Sequence, residues 1–62
     1  MKTSYDKKIL AIREKMNMSQ EEIAYRLGTS RMSIYRWENG QPIRSRAHIK
    51  AIEKLYKKVV NE

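Results

Sequence analysis

The stretch that decides the fold is SQEEIAYRLGTSRMSIYRWENG, which runs from Ser19 to Gly40. Ser19 is a favoured N-cap residue, and Glu22 three residues later completes a capping box over the first turn of a helix. Gly28 can end that helix, because glycine adopts the left-handed conformation without steric cost, and Ser30 can cap the next helix. Two helices joined by so short a turn cross at a steep angle. The spacing therefore predicts a helix-turn-helix unit.

The second of these helices, about Arg31 to Glu38, separates an apolar side from a basic and polar side. Successive residues are rotated by roughly 100°, so Ile34 and Trp37 point one way and should pack in the core. The side chains on the opposite arc are those of Arg31, Met32, Tyr35 and Arg36. Arginine can bond a guanine edge with two N–H groups, and an apolar group can meet a thymine methyl. A merely solvated surface helix is the alternative, but the capped helix and glycine turn before it favour a helix that reads the major groove.

The same stretch resembles the lambda repressor/Cro-like helix-turn-helix family, also called the XRE-like group. The matching features are the Ser-Gln that opens the first helix, Ala24, Gly28, Ile34 and the Trp-Glu-Asn-Gly exit. The resemblance extends more weakly across the whole chain, because one helix precedes the motif and one follows it. It implies an all-α fold, a compact bundle of four short helices, or five where the C-terminal region is divided.

The resemblance also implies which side chains contact DNA. Arg31, Met32 and Arg36 stand at base-reading positions, and Tyr35 beside them can reach a base or a phosphate. The positions that follow the DNA backbone are occupied by Gln20, Asn39, Gln41, Arg44 and Arg46; a solvated basic loop is the alternative for the last four, and we favour contact. Ser30 and Ser33 are candidates for hydrogen bonds to phosphates or base edges. Gln20 would also buttress Arg31, and Arg46 could enter the minor groove and sense its width. The sequence departs from phage members that place glutamines at the reading positions; two arginines suggest guanines, although arginine readily shifts to phosphate.

One further implication of the resemblance is an ion pair between Arg13 and Glu38. These residues are far apart in the chain, and the pair would tie the first helix to the end of the third. Arg13 would then be structural and would not contact DNA.

Length, charge and composition set the class of protein. Sixty-two residues allow one domain, residues 1–62. Fourteen Lys and Arg against seven acids leave a net charge of +7, a field that attracts polyanions, although it can also serve solubility alone. The absence of cysteine excludes disulfides and thiolate metal sites. No apolar run resembles a secretory signal or a membrane span, so we expect a cytoplasmic protein. The family resemblance implies a bacterial, phage or archaeal protein associated with the nucleoid.

A first helix is predicted from about Ser4 to Met16, where Thr3 and Asp6 have capping-box spacing. Its apolar stripe consists of Tyr5, Ile9, Ile12 and Met16. Asn17 can end this helix, since asparagine tolerates the left-handed conformation. Leu10 falls off the stripe and is either a rim contact, which we favour, or part of a partner surface.

A last helix is predicted from about Ser45 to Val59, undivided because no helix-breaking residue follows Pro42. Its apolar side consists of Ile49, Ile52, Leu55, Tyr56 and Val59, and its other side carries Lys50, Lys54, Lys57 and Lys58. The lysine side could face a membrane surface, but we favour a solvated one. His48 is the only histidine and makes a poor metal site alone, so no metal or cofactor is expected.

The leading hypothesis is sequence-specific binding of double-stranded DNA by a transcriptional regulator. The alternative is a protein-interaction module, such as the helix-turn-helix domain of an antitoxin or coactivator. An enzyme is not expected, because no nucleophile is grouped with a base and no phosphate loop is present. Three arrangements stay open: a homodimer through the C-terminal helix, a homodimer only on DNA with a palindromic site, or the head of a larger protein.

Overall fold

The computed structural model describes residues 5–60 and contains the four predicted helices in the predicted order. They are α1 (Asp6–Met16), α2 (Gln20–Leu27), α3 (Arg31–Glu38) and α4 (Arg46–Val60), and no strand occurs within residues 5–60. The all-α bundle of four helices is therefore confirmed, and the C-terminal region is one undivided helix. None of these helices is long and apolar enough to cross a bilayer.

The start of α1 differs from the prediction. The helix begins at Asp6, and Tyr5 stands at the N-cap without a side-chain capping bond. The predicted cap at Thr3 and the predicted start at Ser4 lie outside the described residues. α4 begins at Arg46, one residue later than predicted. Ser45 precedes the helix, and its Oγ accepts a hydrogen bond from the His48 N–H at 3.4 Å.

The starts of α2 and α3 follow the predicted capping chemistry. Ser19 Oγ accepts from the Glu22 N–H at 3.1 Å, and a carboxylate oxygen of Glu22 accepts from the Ser19 N–H at 2.8 Å. This reciprocal pair is the capping box expected from the sequence. Ser30 Oγ likewise accepts from the Ser33 N–H, at 3.2 Å. Both helices therefore begin at positions fixed by local hydrogen bonds.

The ends of α1, α2 and α3 share one arrangement. Asn17 with φ 55° and Gly28 with φ 74° are left-handed and directly follow α1 and α2, and the left-handed Gly40, with φ 92°, follows α3 after Asn39. The next residue in each case donates its N–H to the carbonyl five positions back: Met18 to Arg13, Thr29 to Ala24, and Gln41 to Arg36. This bond belongs to the Schellman motif, which ends a helix and turns the chain sharply. Residues 17–19 and 28–30 are thus sufficient to connect the first three helices.

Isoleucine dominates the core. Five isoleucines are fully buried, at least one from each helix: Ile9, Ile12, Ile23, Ile34 and Ile52. Ala24, Leu27, Trp37 and Val59 complete the buried set. Because burying such a side chain stabilises the fold by roughly 1.5–3 kcal/mol, these residues hold the four short helices together.

The helices pack so that α3 and α4 lie on different sides of this core. α4 packs mainly against α1, whereas α3 packs against α2 and α1. The two meet where the Trp37 ring faces the His48 ring, with centroids 5.4 Å apart and ring planes tilted by 52°. The outer side of α3 and the outer side of α4 are therefore separate surfaces.

Candidate nucleic-acid interface

The outer face of α3 carries the four side chains singled out in the sequence. Arg31, Met32, Tyr35 and Arg36 are all exposed, Met32 and Tyr35 by 53% and 54%. On the inner face, Ile34 is 0% and Trp37 9% exposed, which confirms the prediction that Trp37 packs in the core. The helix thus exposes two guanidinium groups, a phenol and a thioether on its outer face, while Ile34 and Trp37 fix its inner face in the core.

A hydrogen-bonded network fixes the C-terminal end of α3. Arg13 Nη1 donates to Glu38 Oε2 at 2.8 Å, which confirms the ion pair implied by the family resemblance. Arg13 Nε also donates to the Met18 carbonyl at 3.1 Å. The Arg13 and Glu38 side chains are only 25% and 15% exposed, so solvent screens this pair less than a surface pair. Arg13 is therefore occupied in joining α1 to α3.

Gln20 completes this network. Its Nε2 donates to the other carboxylate oxygen of Glu38 at 2.8 Å, and within residues 5–60 no hydrogen bond joins it to Arg31. Gln20 and Arg31 nevertheless line one open cavity of about 360 Å³, together with Ser19 and Glu21. The amide keeps a second N–H for an external acceptor. Glu21 at the same cavity would oppose a phosphate, whereas Glu22 is engaged in its capping box.

The two serines at the start of α3 are bonded to one another. Their hydroxyl oxygens lie 3.1 Å apart, and Ser30 also caps the helix through the Ser33 N–H. One hydroxyl proton is used between them, so the other can be donated to an outside acceptor. The pair can therefore offer one donor while keeping its structural role.

The segment after α3 holds the remaining candidates. Asn39, Gln41 and Arg44 are exposed, and the Asn39 amide donates to the Tyr35 carbonyl at 2.7 Å. Arg46 is also exposed and is the first residue of α4. A cation at a helix N-terminus opposes the helix dipole. Helix stability therefore gives no reason for an arginine at this position.

Several contacts could not be predicted from the sequence. The Gln20–Glu38 bond joins residues 18 positions apart, and Tyr5 donates its hydroxyl to Glu53 across 48 positions. This bond, with some desolvation and the negative charge of Glu53, raises the pKa of Tyr5 above 10.0. No sequence pattern marks either contact. Within residues 5–60 no cluster of three His, Cys, Asp or Glu side chains could hold a metal ion.

Comparison with known proteins gives the family. A search of curated proteins and a search of solved structures each returned no match. A family model described as helix-turn-helix matches residues 9–59, most of the chain, including all of α2 and α3. The chain therefore belongs to the XRE/lambda repressor-like helix-turn-helix family of DNA-binding domains.

Proposed function

We propose that this protein binds double-stranded DNA sequence-specifically, as a transcriptional regulator of the repressor/Cro kind that inserts α3 into the major groove. The family binds DNA and generally serves transcription regulation. The observation that carries the proposal is the outer face of α3, where four exposed side chains stand on a helix fixed by Ile34 and Trp37. A helix in the major groove needs such an arrangement, because base edges are read by side chains held in one register.

Arg31, Met32 and Arg36 are the proposed base-reading residues, with Tyr35 reaching a base or a phosphate. A guanidinium can donate two parallel N–H bonds to guanine, and the methionine can contact a thymine methyl. The Glu38 network supports this role, since it joins the end of α3 to α1 and α2. Rotation of α3 would break these bonds, so the network keeps the four side chains aimed in one direction.

Phosphate contacts would flank the reading helix. The proposed residues before or at the start of α3 are Gln20, Ser30 and Ser33, and those after it are Asn39, Gln41, Arg44 and Arg46. Such contacts set the register on the duplex and supply most of the affinity, while base contacts supply discrimination. Binding should therefore weaken steeply with salt at every sequence.

The protein would act in the cytoplasm as a homodimer formed on its site. Two copies reading a palindrome would place their α3 helices about 34 Å apart, one turn of the duplex. Selection of bound sites from random DNA tests this directly. We expect an enriched inverted repeat with that half-site spacing. Enrichment of single half-sites would contradict the dimer, and no enrichment would contradict sequence-specific binding.

The reading residues are tested by alanine variants on the selected site. Arg31→Ala and Arg36→Ala should each cost on the order of 1–3 kcal/mol, confined to one base pair. Arg26→Ala is the matched control, because Arg26 is an exposed arginine on α2. Equal losses on selected and random DNA for Arg36→Ala would remove it from the base-reading set. Circular dichroism of each variant shows whether the helices are intact.

A further inference from the structure

A shallow groove along α4, bordered by Lys8 of α1, lies outside the proposed DNA surface. It has a volume of about 710 Å³ and is lined by Lys8, Lys50, Glu53, Lys54, Tyr56, Lys57 and Val60. Four of these seven side chains are cationic and one is anionic. We propose that this basic groove docks an acidic amphipathic helix from a partner protein.

The first argument is the distribution of the two kinds of cation. Every lysine within residues 5–60 lies on α1 or α4, and none lies between residues 16 and 49. Every arginine other than Arg13 lies between residues 26 and 46. The planar fork of arginine suits paired bonds to bases and phosphates, whereas lysine is a flexible point charge. The basic groove therefore differs in chemistry from the α3 surface and is not an extension of it.

The second argument is the spacing of the lysines. Lys50, Lys54 and Lys57 follow the i, i+4, i+7 pattern along one exposed stripe of α4. At a rise of 1.5 Å per residue, successive positions are about 6 Å and about 4.5 Å apart along the axis. None of the three is in an ion pair with a carboxylate among residues 5–60. A partner helix with acidic residues at the same spacing would match this row, as charges match along paired helices.

The third argument is the apolar floor beside the lysine stripe. Val60 is 51% exposed, and Tyr56 is partly buried. The Lys8 ammonium lies 5.4 Å from the Tyr5 ring centroid and 5.2 Å from that of Tyr56, so it is held at the groove edge by cation–π attraction. Glu53, the one acid, already accepts the Tyr5 hydroxyl at 2.9 Å. The groove thus combines the positive charge of its lysines, of which Lys8 is held in place by two rings, with the exposed apolar surface of Val60.

Positive charge beside exposed apolar surface favours an acidic helix over DNA and over an anionic bilayer as the partner. A DNA backbone has phosphates for the lysines but no apolar side chains for Tyr56 and Val60. An anionic bilayer offers both, but its headgroups have no fixed spacing that would match the row of Lys50, Lys54 and Lys57. An acidic amphipathic helix carries carboxylates at a fixed spacing beside aliphatic side chains, which suits the lysine row and the exposed apolar surface together.

The test uses the full chain and a fluorescein-labelled synthetic helix of about 18 residues, long enough to be helical. Glutamates are placed at i, i+4 and i+7, with leucines along the adjoining stripe. Fluorescence anisotropy should show that Lys50→Glu with Lys54→Glu weakens binding about tenfold or more. The matched control is Lys15→Glu with Lys58→Glu, which has the same charge change on exposed lysines that do not line the groove. The control should keep binding within about threefold.

Two altered peptides complete the test. A peptide with lysines in place of the glutamates should bind the Lys50→Glu, Lys54→Glu protein better than the unaltered protein. A peptide with serines in place of the leucines should lose binding. The proposal is overturned if the control pair weakens binding as much as the groove pair, or if the serine peptide binds equally well. The proposal is also overturned if the peptide does not bind and the Lys50→Glu, Lys54→Glu protein selectively loses binding to random DNA or to phosphatidylserine vesicles.

Discussion

Glu38 is the residue that joins three helices. It ends α3, and its two oxygens accept separately from Arg13 on α1 and from Gln20 on α2, both at 2.8 Å. The carboxylate is mostly enclosed, so both donors depend on it for a partner. Its position one residue after the buried Trp37 links this polar network to the core.

Replacing Glu38 with alanine should therefore destabilise the protein. We expect a loss of about 1–3 kcal/mol in the free energy of unfolding, because a guanidinium and an amide lose a charged acceptor together. Urea denaturation followed by far-ultraviolet circular dichroism measures this change. Glu14→Ala is the control: Glu14 is an exposed carboxylate on α1, and its removal should stay within about 0.5 kcal/mol. Equal stabilities for the two variants would show that the network adds nothing to the fold.

Tyr5 gives a prediction at high pH. Its hydroxyl donates to Glu53, and this bond favours the protonated phenol in the folded protein, so the pKa lies above 10.0. The stabilisation is complete below pH 10.0 and is lost as the pH rises through the raised pKa. Tyr5→Phe should lower stability at neutral pH, and the difference from the unaltered protein should shrink in strongly alkaline buffer. A difference that stays constant over this range would contradict a role for the bond.

Among the elements, the ends of the first three helices show how local sequence sets the fold. Gly28 has a φ of 74°, and a Cβ placed there would meet no atom within 4 Å. The cost of a side chain at this position is therefore a backbone cost alone. Gly28→Ala should destabilise the protein by about 1–2 kcal/mol, the penalty for an L-residue in the left-handed region.

The chemical control for this prediction is D-alanine. A D-residue prefers positive φ, so D-alanine, whose methyl group replaces the other α-hydrogen of Gly28, should avoid the backbone cost and stabilise the fold by about 0.4–1 kcal/mol through the unfolded chain. The chain is short enough for total synthesis, and urea midpoints compare the three proteins. Equal destabilisation by both alanines would show that the positive φ is not the source of the cost.

The sequence predicted these elements well because their determinants are local. The Ser19–Glu22 capping box and the buried face of Ile34 and Trp37 each depend on residues three positions apart, and the left-handed turn depends on Gly28 itself. The Arg13–Glu38 pair spans 25 positions and was expected only from the family resemblance. The partner of Gln20 was not predicted, because it depends on how α2 and α3 are placed in space. The lysine row of α4 was predicted, but the position of Lys8 beside Tyr56 was not, because it depends on how α1 and α4 pack.

At the scale of the whole molecule, the positive charge divides into two surfaces. Every arginine other than Arg13 lies between residues 26 and 46, and the lysines within residues 5–60 lie on α1 and α4. The lysines raise the general attraction to DNA, but only cations in direct contact with phosphates release condensed counterions. The salt dependence of binding therefore distinguishes the cations that contact phosphates from those that act at a distance.

Arg44 provides the test at this scale. Arg44→Ala should weaken binding to selected and random DNA alike and reduce the slope of log K against log salt by about one. Lys15→Ala is the control, because Lys15 is an exposed lysine on α1 and should leave the slope nearly unchanged. The slopes come from titrations at several salt concentrations. A slope that falls equally in both variants would mean that Arg44 acts only through the general field.

The contact between Trp37 and His48 has a practical consequence. Trp37 is the one tryptophan of the chain and sits on α3 with its ring against α4. Its intrinsic emission should shift to longer wavelength when α3 leaves the core and water reaches the indole. The loss of helical circular dichroism from the entire bundle can be followed in parallel. If the two unfolding curves coincide, α3 does not unfold separately from the other helices. The fluorescence of Trp37 therefore reports directly on the helix that is proposed to contact DNA.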